Sequence, residues 1–127
     1  MEYTLRTYTS YSSRGDSGWA FTTQVGSTVP LYHLFHYSSA TGSDNFYTTN
    51  ETERDVFGAQ DGYTYGGVAA YVYATQICGS VPLYRSYQPV TVDHFYTNNR
   101  TDNRIASTTL DYVEEGIQCY VLPDPTD

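Results

Sequence analysis

The chain carries its most reactive side chains in two short stretches that are nearly identical. Asp44 to Thr48 reads DNFYT, and 49 positions later Asp93 to Thr97 reads DHFYT. An imidazole beside a carboxylate, with phenols nearby, is a set that general acid–base catalysis can use. However, neighbouring strand residues point to opposite faces, and the first copy has Asn45, which takes up no proton, in the place of His94. We therefore expect no catalytic residues here and infer a ligand-binding role instead.

The same two stretches can present a polar and aromatic surface. If Phe46 and Phe95 face the core, strand alternation turns the neighbouring amide, imidazole and phenol groups outward. An aromatic ring can cover the C–H face of a sugar while planar polar groups reach its hydroxyls. The sequence thus predicts shallow carbohydrate sites, repeated so that they bind glycans multivalently. The predicted ligand-binding residues are Asp44, Asn45, Tyr47, Arg85, Asp93, His94, Tyr96 and Trp19. The alternative is that these side chains are buried and hydrogen-bonded where the repeats pack together.

The sequence contains internal repeats, and the predicted site residues lie within them. VPLYHLFHY, starting at Val29, returns as VPLYRSYQP at an offset of 52, and GYTYGGVAAYV, starting at Gly62, returns as DYVEEGIQCYV at an offset of 49. SGWAFTTQVGSTVPLY near the N-terminus also aligns with AAYVYATQICGSVPLY. We predict a single domain over 1–127, made of a truncated repeat over 1–28 and full repeats over 29–80 and 81–127.

Each full repeat reads as a hairpin, a short helix and a second hairpin. In the first repeat Asn50 is a candidate N-cap with Glu53 as its capping-box partner, and Gly58 is placed to end the helix. Asn99, with Asp102, is the less clear candidate cap of the second helix, and capping is preferred to glycan attachment as the role of both asparagines. The Gly66-Gly67 pair predicts the turn of the second hairpin. The fold class is mostly β, an α+β repeat with pseudo-threefold character for which a β-trefoil is the nearest familiar shape.

Composition narrows the choice of partner. The formal charge is −8, which disfavours nucleic acid, and 15 of the 127 residues are tyrosine. No apolar run is long enough to span a membrane, and the N-terminal residues lack the pattern of a signal peptide, so we expect a soluble chain without membrane insertion. Self-association as a homo-oligomer stays open.

We expect neither a metal ion nor a cofactor. His33 and His36 are separated by an odd number of strand positions, which sends them to opposite faces. Cys78 and Cys119 fit no zinc pattern, and they are left as either one disulfide or two buried thiols. Glu114 and Glu115, which replace Tyr65 and Gly66 of the first repeat, predict a solvated turn.

The motifs resemble a repeat family of unknown function. PLYR, followed by DHFYT, a capped helix and a G-Y segment that ends in Y-V, is similar to repeats found beside bacterial cell-wall lysozymes and peptidases and in small mushroom proteins. The resemblance covers Val29 to Leu122. It departs from the pattern at Asn45, where the family prefers His, and in the N-terminal remnant. What the resemblance implies is carbohydrate or cell-surface binding.

Three functions follow from these observations. The first is a non-catalytic lectin. The alternative is a protein-binding defence module, such as a hydrolase or protease inhibitor, that presents the loops Ser38 to Ser43 and Ser10 to Gly18. An enzyme that uses His94 is the third.

Overall fold

The computed structural model describes residues 3–4, 19–40 and 42–123, and at positions 3, 4 and 19 it describes the backbone only. The strands are β1 Tyr3–Thr4, β2 Trp19–Ala20, β3 Thr28–Ser38, β4 Gly42–Thr48, β5 Thr64–Tyr73, β6 Val81–Gln88, β7 Asp93–Thr97 and β8 Val113–Val121. The helices are α1 Glu51–Gln60 and α2 Arg100–Thr109. The predicted fold class, mostly β with short helices, is confirmed.

One antiparallel sheet contains six of these strands. Their order is β4-β3-β5-β8-β6-β7, so the three strands of each full repeat are neighbours and the repeats join at β5 and β8 through the pair Tyr73 and Tyr120. β1 and β2 form a separate pair, which touches the large sheet through a bridge between Phe21 and Tyr71. The arrangement gives two equivalent units in one sheet, and the predicted trefoil-like threefold symmetry is not confirmed.

The predicted second hairpin of each repeat is wrong, because a single bulged strand takes its place. β5 runs through Gly66 and Gly67 and pairs with β3 on both sides of them, with register shifts between Leu31 and Tyr32 and between His33 and Leu34. Gly67 has φ 98, and its counterpart Gly116 in β8 has φ 89. A positive-φ glycine creates a β-bulge, whereas a two-residue hairpin turn of the expected type needs positive φ at both central residues. The strand therefore kinks and continues.

Apolar side chains pack on both faces of the sheet. The core shared by the two repeats contains Ala20, Leu31, Tyr47, Ala70, Val72, Leu83, Tyr96, Cys119 and Val121. A second cluster, Leu34, Phe46 and Tyr63, packs against Phe57 of α1, and a third joins Phe95, Ala106 of α2 and Tyr112. Because one face meets the shared core and the other meets the helices, β4 and β7 are covered on both sides.

The predicted helix caps are confirmed at both sites. The Asn50 side chain accepts the N–H of Glu53 at 2.9 Å, and the Asn99 side chain accepts the N–H of Asp102 at 3.1 Å. The capping box is wrong, because the Asn50 N–H donates to Thr48 Oγ1 instead of Glu53. Gly58 does not end α1, since a glycine inside a helix costs only about 1 kcal/mol.

The truncated first repeat keeps one recognisable turn. Gln24 Nε2 donates to the carbonyl of Thr28 at 3.0 Å, and Gln76 Nε2 donates to the carbonyl of Ser80 at 3.2 Å. The similar sequences TQVGST, from Thr23 to Thr28, and TQICGS, from Thr75 to Ser80, thus build the same turn twice. Cys78 is exposed in the second of these turns and Cys119 is buried, so the two thiols are unpaired and only one of them is buried.

Candidate binding cleft between the repeats

Asp44 joins the two repeats through a buried carboxylate. Its Oδ1 accepts the backbone N–H of His94 at 2.6 Å, while Oδ2 accepts His94 Nδ1 at 2.6 Å and the Tyr63 hydroxyl at 2.5 Å. Only 1% of Asp44 is exposed. The Asp–Tyr part of this arrangement recurs in the second repeat, where Asp93 accepts the Tyr112 hydroxyl. The first acid of the repeated motif therefore ties its strand to the segment that follows the helix.

The tyrosines of the two motifs face inward. Tyr47 is 4% exposed, Tyr96 is 0% exposed and His94 is 2% exposed. The prediction that these side chains lie on an outer, sugar-facing surface is wrong. β4 and β7 are the two ends of the sheet order, yet they lie against each other through side-chain bonds, so the side of each strand that alternation assigns to solvent is covered by the other repeat. The predicted alternative of packing between repeats is what these residues adopt.

Arg85 is also buried rather than exposed. Its guanidinium donates two bonds to Glu53, at 2.8 and 3.2 Å, and one to Glu115 Oε1 at 2.7 Å. It lies 4.6 Å over the ring of Phe46 and donates to the carbonyl of Tyr47. Burial alone would lower the pKa of Arg85, but Tyr96 and the two carboxylates outweigh it and raise that pKa above its ordinary value. Arg85 is a permanently charged centre that holds α1 and β8 together.

The other predicted site residues take separate positions. Asn45 is half-buried, and its Oδ1 contacts His33 Nε2 at 2.9 Å. The side chain of Trp19 lies outside the described residues, as do the whole loop Ser10 to Gly18 and part of the loop Ser38 to Ser43. His33 stacks on Tyr47, whereas His36 lies beside Tyr63. Among the described side chains, no group of three or more His, Cys, Asp or Glu is placed to hold a metal ion.

A cleft opens where the two repeats meet, next to the Asp44–His94 pair. Its volume is about 280 Å³. We call it the inter-repeat cleft, and its lining residues are His36, Phe57, Asp61, Tyr63, Tyr87, Val92, His94 and Glu115. The first four come from the first repeat and the last four from the second. Of the predicted site residues whose side chains the structure describes, only His94 lines it.

Comparison with family models, curated proteins and solved structures gives one match. The model of a domain of unknown function, DUF5648, matches residues 2–122. The chain belongs to the DUF5648 family. No curated protein matches the sequence, and no solved structure matches it either. In the part of this DUF5648 chain that the structure describes, neither helix is long and apolar enough to cross a membrane.

Aromatic rings and carboxylates define the chemistry of the inter-repeat cleft in this DUF5648 chain. The rings of Tyr87 and His94 lie 4.5 Å apart, and those of Phe57 and Tyr63 lie 5.2 Å apart. Partial burial, followed by the charges of Asp44, Glu115 and Asp61, raises the pKa of Tyr87, which keeps its hydroxyl protonated. The cleft therefore offers neutral phenols, ring faces and negative carboxylates in one concave site.

Glu115 lies between the inter-repeat cleft and a second, wider depression, and it lines both. Its Oε1 lies 2.7 Å from Arg85 Nε and 3.9 Å from His94 Nε2. On its other side Glu115 lines a wider depression of about 660 Å³, together with Arg85, Glu53 and Gln118. The predicted solvent exposure of Glu114 and Glu115 is confirmed, but the predicted turn is wrong, because both residues lie within β8.

Sequence reasoning missed most of the cleft residues. Asp61 and Val92 belong to no motif, and Tyr87 lies in the repeated VPLYRSYQP segment without having been singled out. The cleft is assembled from residues that are far apart in the chain. Two differences between the repeats nevertheless point to it: His94 replaces Asn45, and Glu115 replaces Gly66. Val92 adds a third sign, because a β-branched residue at φ 54 is uncommon and such strained backbone often clusters at functional sites.

Proposed function

We propose that this protein is a non-catalytic carbohydrate-binding protein, a lectin, and that a sugar unit binds in the inter-repeat cleft. The observation that carries the proposal is the union of Phe57, Tyr63 and Tyr87 with the carboxylates of Asp61 and Glu115 in one concavity. Aromatic rings cover the C–H face of a sugar, and carboxylates accept hydrogen bonds from its hydroxyls. The buried tyrosines of the repeated motifs then act as the frame of the site and leave the contacts to the cleft residues.

The size and charge of the cleft favour a neutral sugar unit. A volume of about 280 Å³ lies at the lower end of ligand pockets, which suits a single ring more than a long oligosaccharide. Asp61, Glu115 and the buried Asp44 would repel a carboxylate or sulfate on the sugar. Each aromatic contact contributes about 0.5–1.5 kcal/mol, so we expect an affinity on the order of millimolar, equivalent to about −4 kcal/mol.

Weak single-site binding suits a surface that carries many copies of the same sugar. The resemblance of the motifs to repeats found beside bacterial cell-wall lysozymes and peptidases and in small mushroom proteins supports a cell-surface glycan as the target. The two repeats of one chain build a single inter-repeat cleft together. Avidity on such a surface therefore requires several copies of the protein or of the glycan.

A binding role fits the environment of His94 better than a catalytic one. The imidazole is 2% exposed, and Asp44 contacts both its Nδ1 and its backbone N–H. Asp44 also accepts a hydrogen bond from the Tyr63 hydroxyl. The carboxylate that would have to orient a catalytic histidine is therefore also engaged in holding the fold together. No Ser, Thr or Cys side chain lines the cleft in the described part of the chain as a nucleophile.

A glycan array with matched variants tests the proposal. The labelled wild-type protein is applied to an array of neutral and acidic glycans beside Asp61→Asn and Asp55→Asn. Both residues are exposed carboxylates, Asp55 in the middle of α1 and Asp61 directly after its last residue, but only Asp61 lines the cleft. We expect binding to neutral glycans that Asp61→Asn weakens at least fivefold and Asp55→Asn leaves unchanged.

The proposal fails if no neutral glycan binds or if both variants bind like the wild type. Stoichiometric inhibition of a hydrolase, with no glycan bound, would favour the protein-binding defence module instead. Turnover of a bound glycan that His94→Asn abolishes would favour an enzyme.

A further inference from the structure

The two helices carry different residues at equivalent positions, and this difference opens a second groove. In the first repeat Arg54 lies 4.5 Å over the ring of Tyr32 and 5.8 Å from the ring of Tyr65, and it also pairs with Asp55. The equivalent of Arg54, at an offset of 49, is Asn103, and Tyr84 is the equivalent of Tyr32. The shorter Asn103 leaves open the space that an arginine occupies in the first repeat. We call this space, of about 260 Å³, the α2 groove.

Two arginines that have no acidic partner among the described residues line the α2 groove. Arg100 and Arg104 are both exposed and stand one helical turn apart on α2. Arg54 and Arg85 each pair with a carboxylate, but within the described part of the chain neither Arg100 nor Arg104 has a carboxylate oxygen within 4.0 Å. In a chain with a formal charge of −8, the groove thus carries two arginines against the single carboxylate of Glu114.

The position of Arg100 is unfavourable for the helix itself. It is the first residue of α2, where the helix dipole favours acidic side chains, and its like-charged neighbour stands at i+4. Neither feature stabilises α2. A bound anion would offset both, because it would meet two guanidinium groups and the positive end of the helix at once.

The floor of the groove supplies a further donor. Asn103 is 4% exposed, and its Oδ1 accepts the Ser86 hydroxyl at 2.6 Å. With its oxygen engaged in this bond, the amide nitrogen of Asn103 remains as the donor, and no described residue accepts from it. Tyr84, half-buried, lines the same groove.

We propose that the α2 groove is an anion-binding site that takes a carboxylate, sulfate or phosphate group. Arg100 and Arg104 contact the oxygens of the anion, Asn103 donates from the floor, and Glu114 at the rim limits the affinity by repulsion. Glu114 Oε2 accepts the Ser107 hydroxyl at 2.8 Å, which holds its charge at the groove. This site is distinct from the inter-repeat cleft and requires no sugar.

Titration with sodium phosphate, sodium sulfate and sodium acetate at constant ionic strength tests the site, with the arginine Nε–H resonances followed by NMR. We expect saturable shifts of Arg100 and Arg104 and none of Arg54. Arg100→Gln combined with Arg104→Gln should weaken binding at least tenfold, whereas Arg54→Gln, the matched change on α1, should leave it unchanged. Glu114→Gln should strengthen binding several-fold.

The comparison among the three salts identifies the preferred oxyanion. The proposal is overturned by three results: no saturable shift at tens of millimolar of any of the three salts, equal shifts at Arg54, or equal affinity in the double variant. Because Arg100 and Arg104 are exposed, the double variant should fold, and its circular dichroism spectrum checks this. The outcome is independent of the glycan array, since the probes carry no sugar.

Discussion

The hydroxyl of Tyr96 accepts the backbone N–H of Tyr47 at 2.7 Å and donates to the carbonyl of the same residue at 3.1 Å. These two tyrosines are equivalent positions of the two repeats, separated by 49 residues. The Tyr96 side chain therefore makes the hydrogen bonds of the Tyr47 backbone N–H and carbonyl at the open edge of β4. The repeated FYT sequence therefore joins the two ends of the sheet by a side chain where no strand ladder does so.

Removing that hydroxyl should destabilise the whole domain. Tyr96→Phe leaves the buried N–H of Tyr47 without this acceptor, which costs about 1–3 kcal/mol. Urea unfolding measures the change. Tyr37→Phe is the matched control, because Tyr37 is 71% exposed and its loss of a hydroxyl should change stability by less than about 0.5 kcal/mol. Equal stability of Tyr96→Phe and the wild type would contradict the bridging role.

The carboxylate of Asp44 should contribute more than that of Asp93. Asp44→Asn replaces an acceptor of three hydrogen bonds with a side chain that cannot accept all of them, and we expect a loss of about 3 kcal/mol. Asp93→Asn changes the equivalent residue, which is half-buried, and should cost less. Thermal unfolding of both variants ranks them, and a larger loss for Asp93→Asn would refute the central position of Asp44.

Acid should weaken the contact between α1 and β6. Burial favours protonation of Glu53, but hydrogen bonds from Arg85 and Thr48 outweigh it and lower the pKa of Glu53 below its ordinary value. The stability that Glu53 contributes is present above the unfolded-state pKa, near about 4.3, and is lost as the pH falls through the lower folded-state pKa.

Measuring stability over a series of pH values checks the direction of this change. At pH 7 Glu53→Gln should be less stable than the wild type, and the difference should shrink as the pH falls below about 4.3. Urea midpoints of both proteins between neutral pH and the acid-unfolding region give the comparison. A difference that grows toward acid pH would contradict the ion pair with Arg85.

The two thiols should differ in reactivity. Cys78 is exposed, whereas burial raises the pKa of Cys119 to about 12, so Cys119 holds little thiolate at neutral pH. In the native protein, 5,5′-dithiobis(2-nitrobenzoate) should react rapidly with Cys78 alone, and in urea it should react with both. Cys78→Ser should abolish the rapid native reaction. Rapid native reaction of that variant would show that Cys119 is accessible.

Local patterns predicted the parts of the fold that depend on neighbouring residues. Asn50 and Asn99 cap their helices as expected, because a cap needs only its own first turn. The second hairpin was wrong at Gly66 and Gly67, since the same glycines serve a bulge when another strand is available to continue the pairing. Strand alternation separated Phe46 from Tyr47 correctly, but it could not tell that the other repeat covers the second face.

The cleft could not be predicted for the same reason. His36, Asp61 and Tyr87 come together only when the two ends of the sheet meet, and no sequence spacing relates them. His94 was named as a site residue because it is the polar neighbour of a tyrosine in the repeated motif, and it does line the cleft, although Asp44 holds it as part of the frame. Positions at which two repeats differ were thus more informative about the site than positions at which they agree.

Chemical-shift mapping with a sugar that binds on the glycan array tests whether the inter-repeat cleft is the sugar site. The labelled protein is titrated with that sugar, and backbone amide shifts are compared across the chain. We predict the largest shifts at Asp61, Tyr63, Tyr87 and Val92, with little change at Tyr37, and loss of saturation in Asp61→Asn. Shifts centred away from the inter-repeat cleft, or no saturable shift with any neutral sugar, would show that the cleft does not bind sugar.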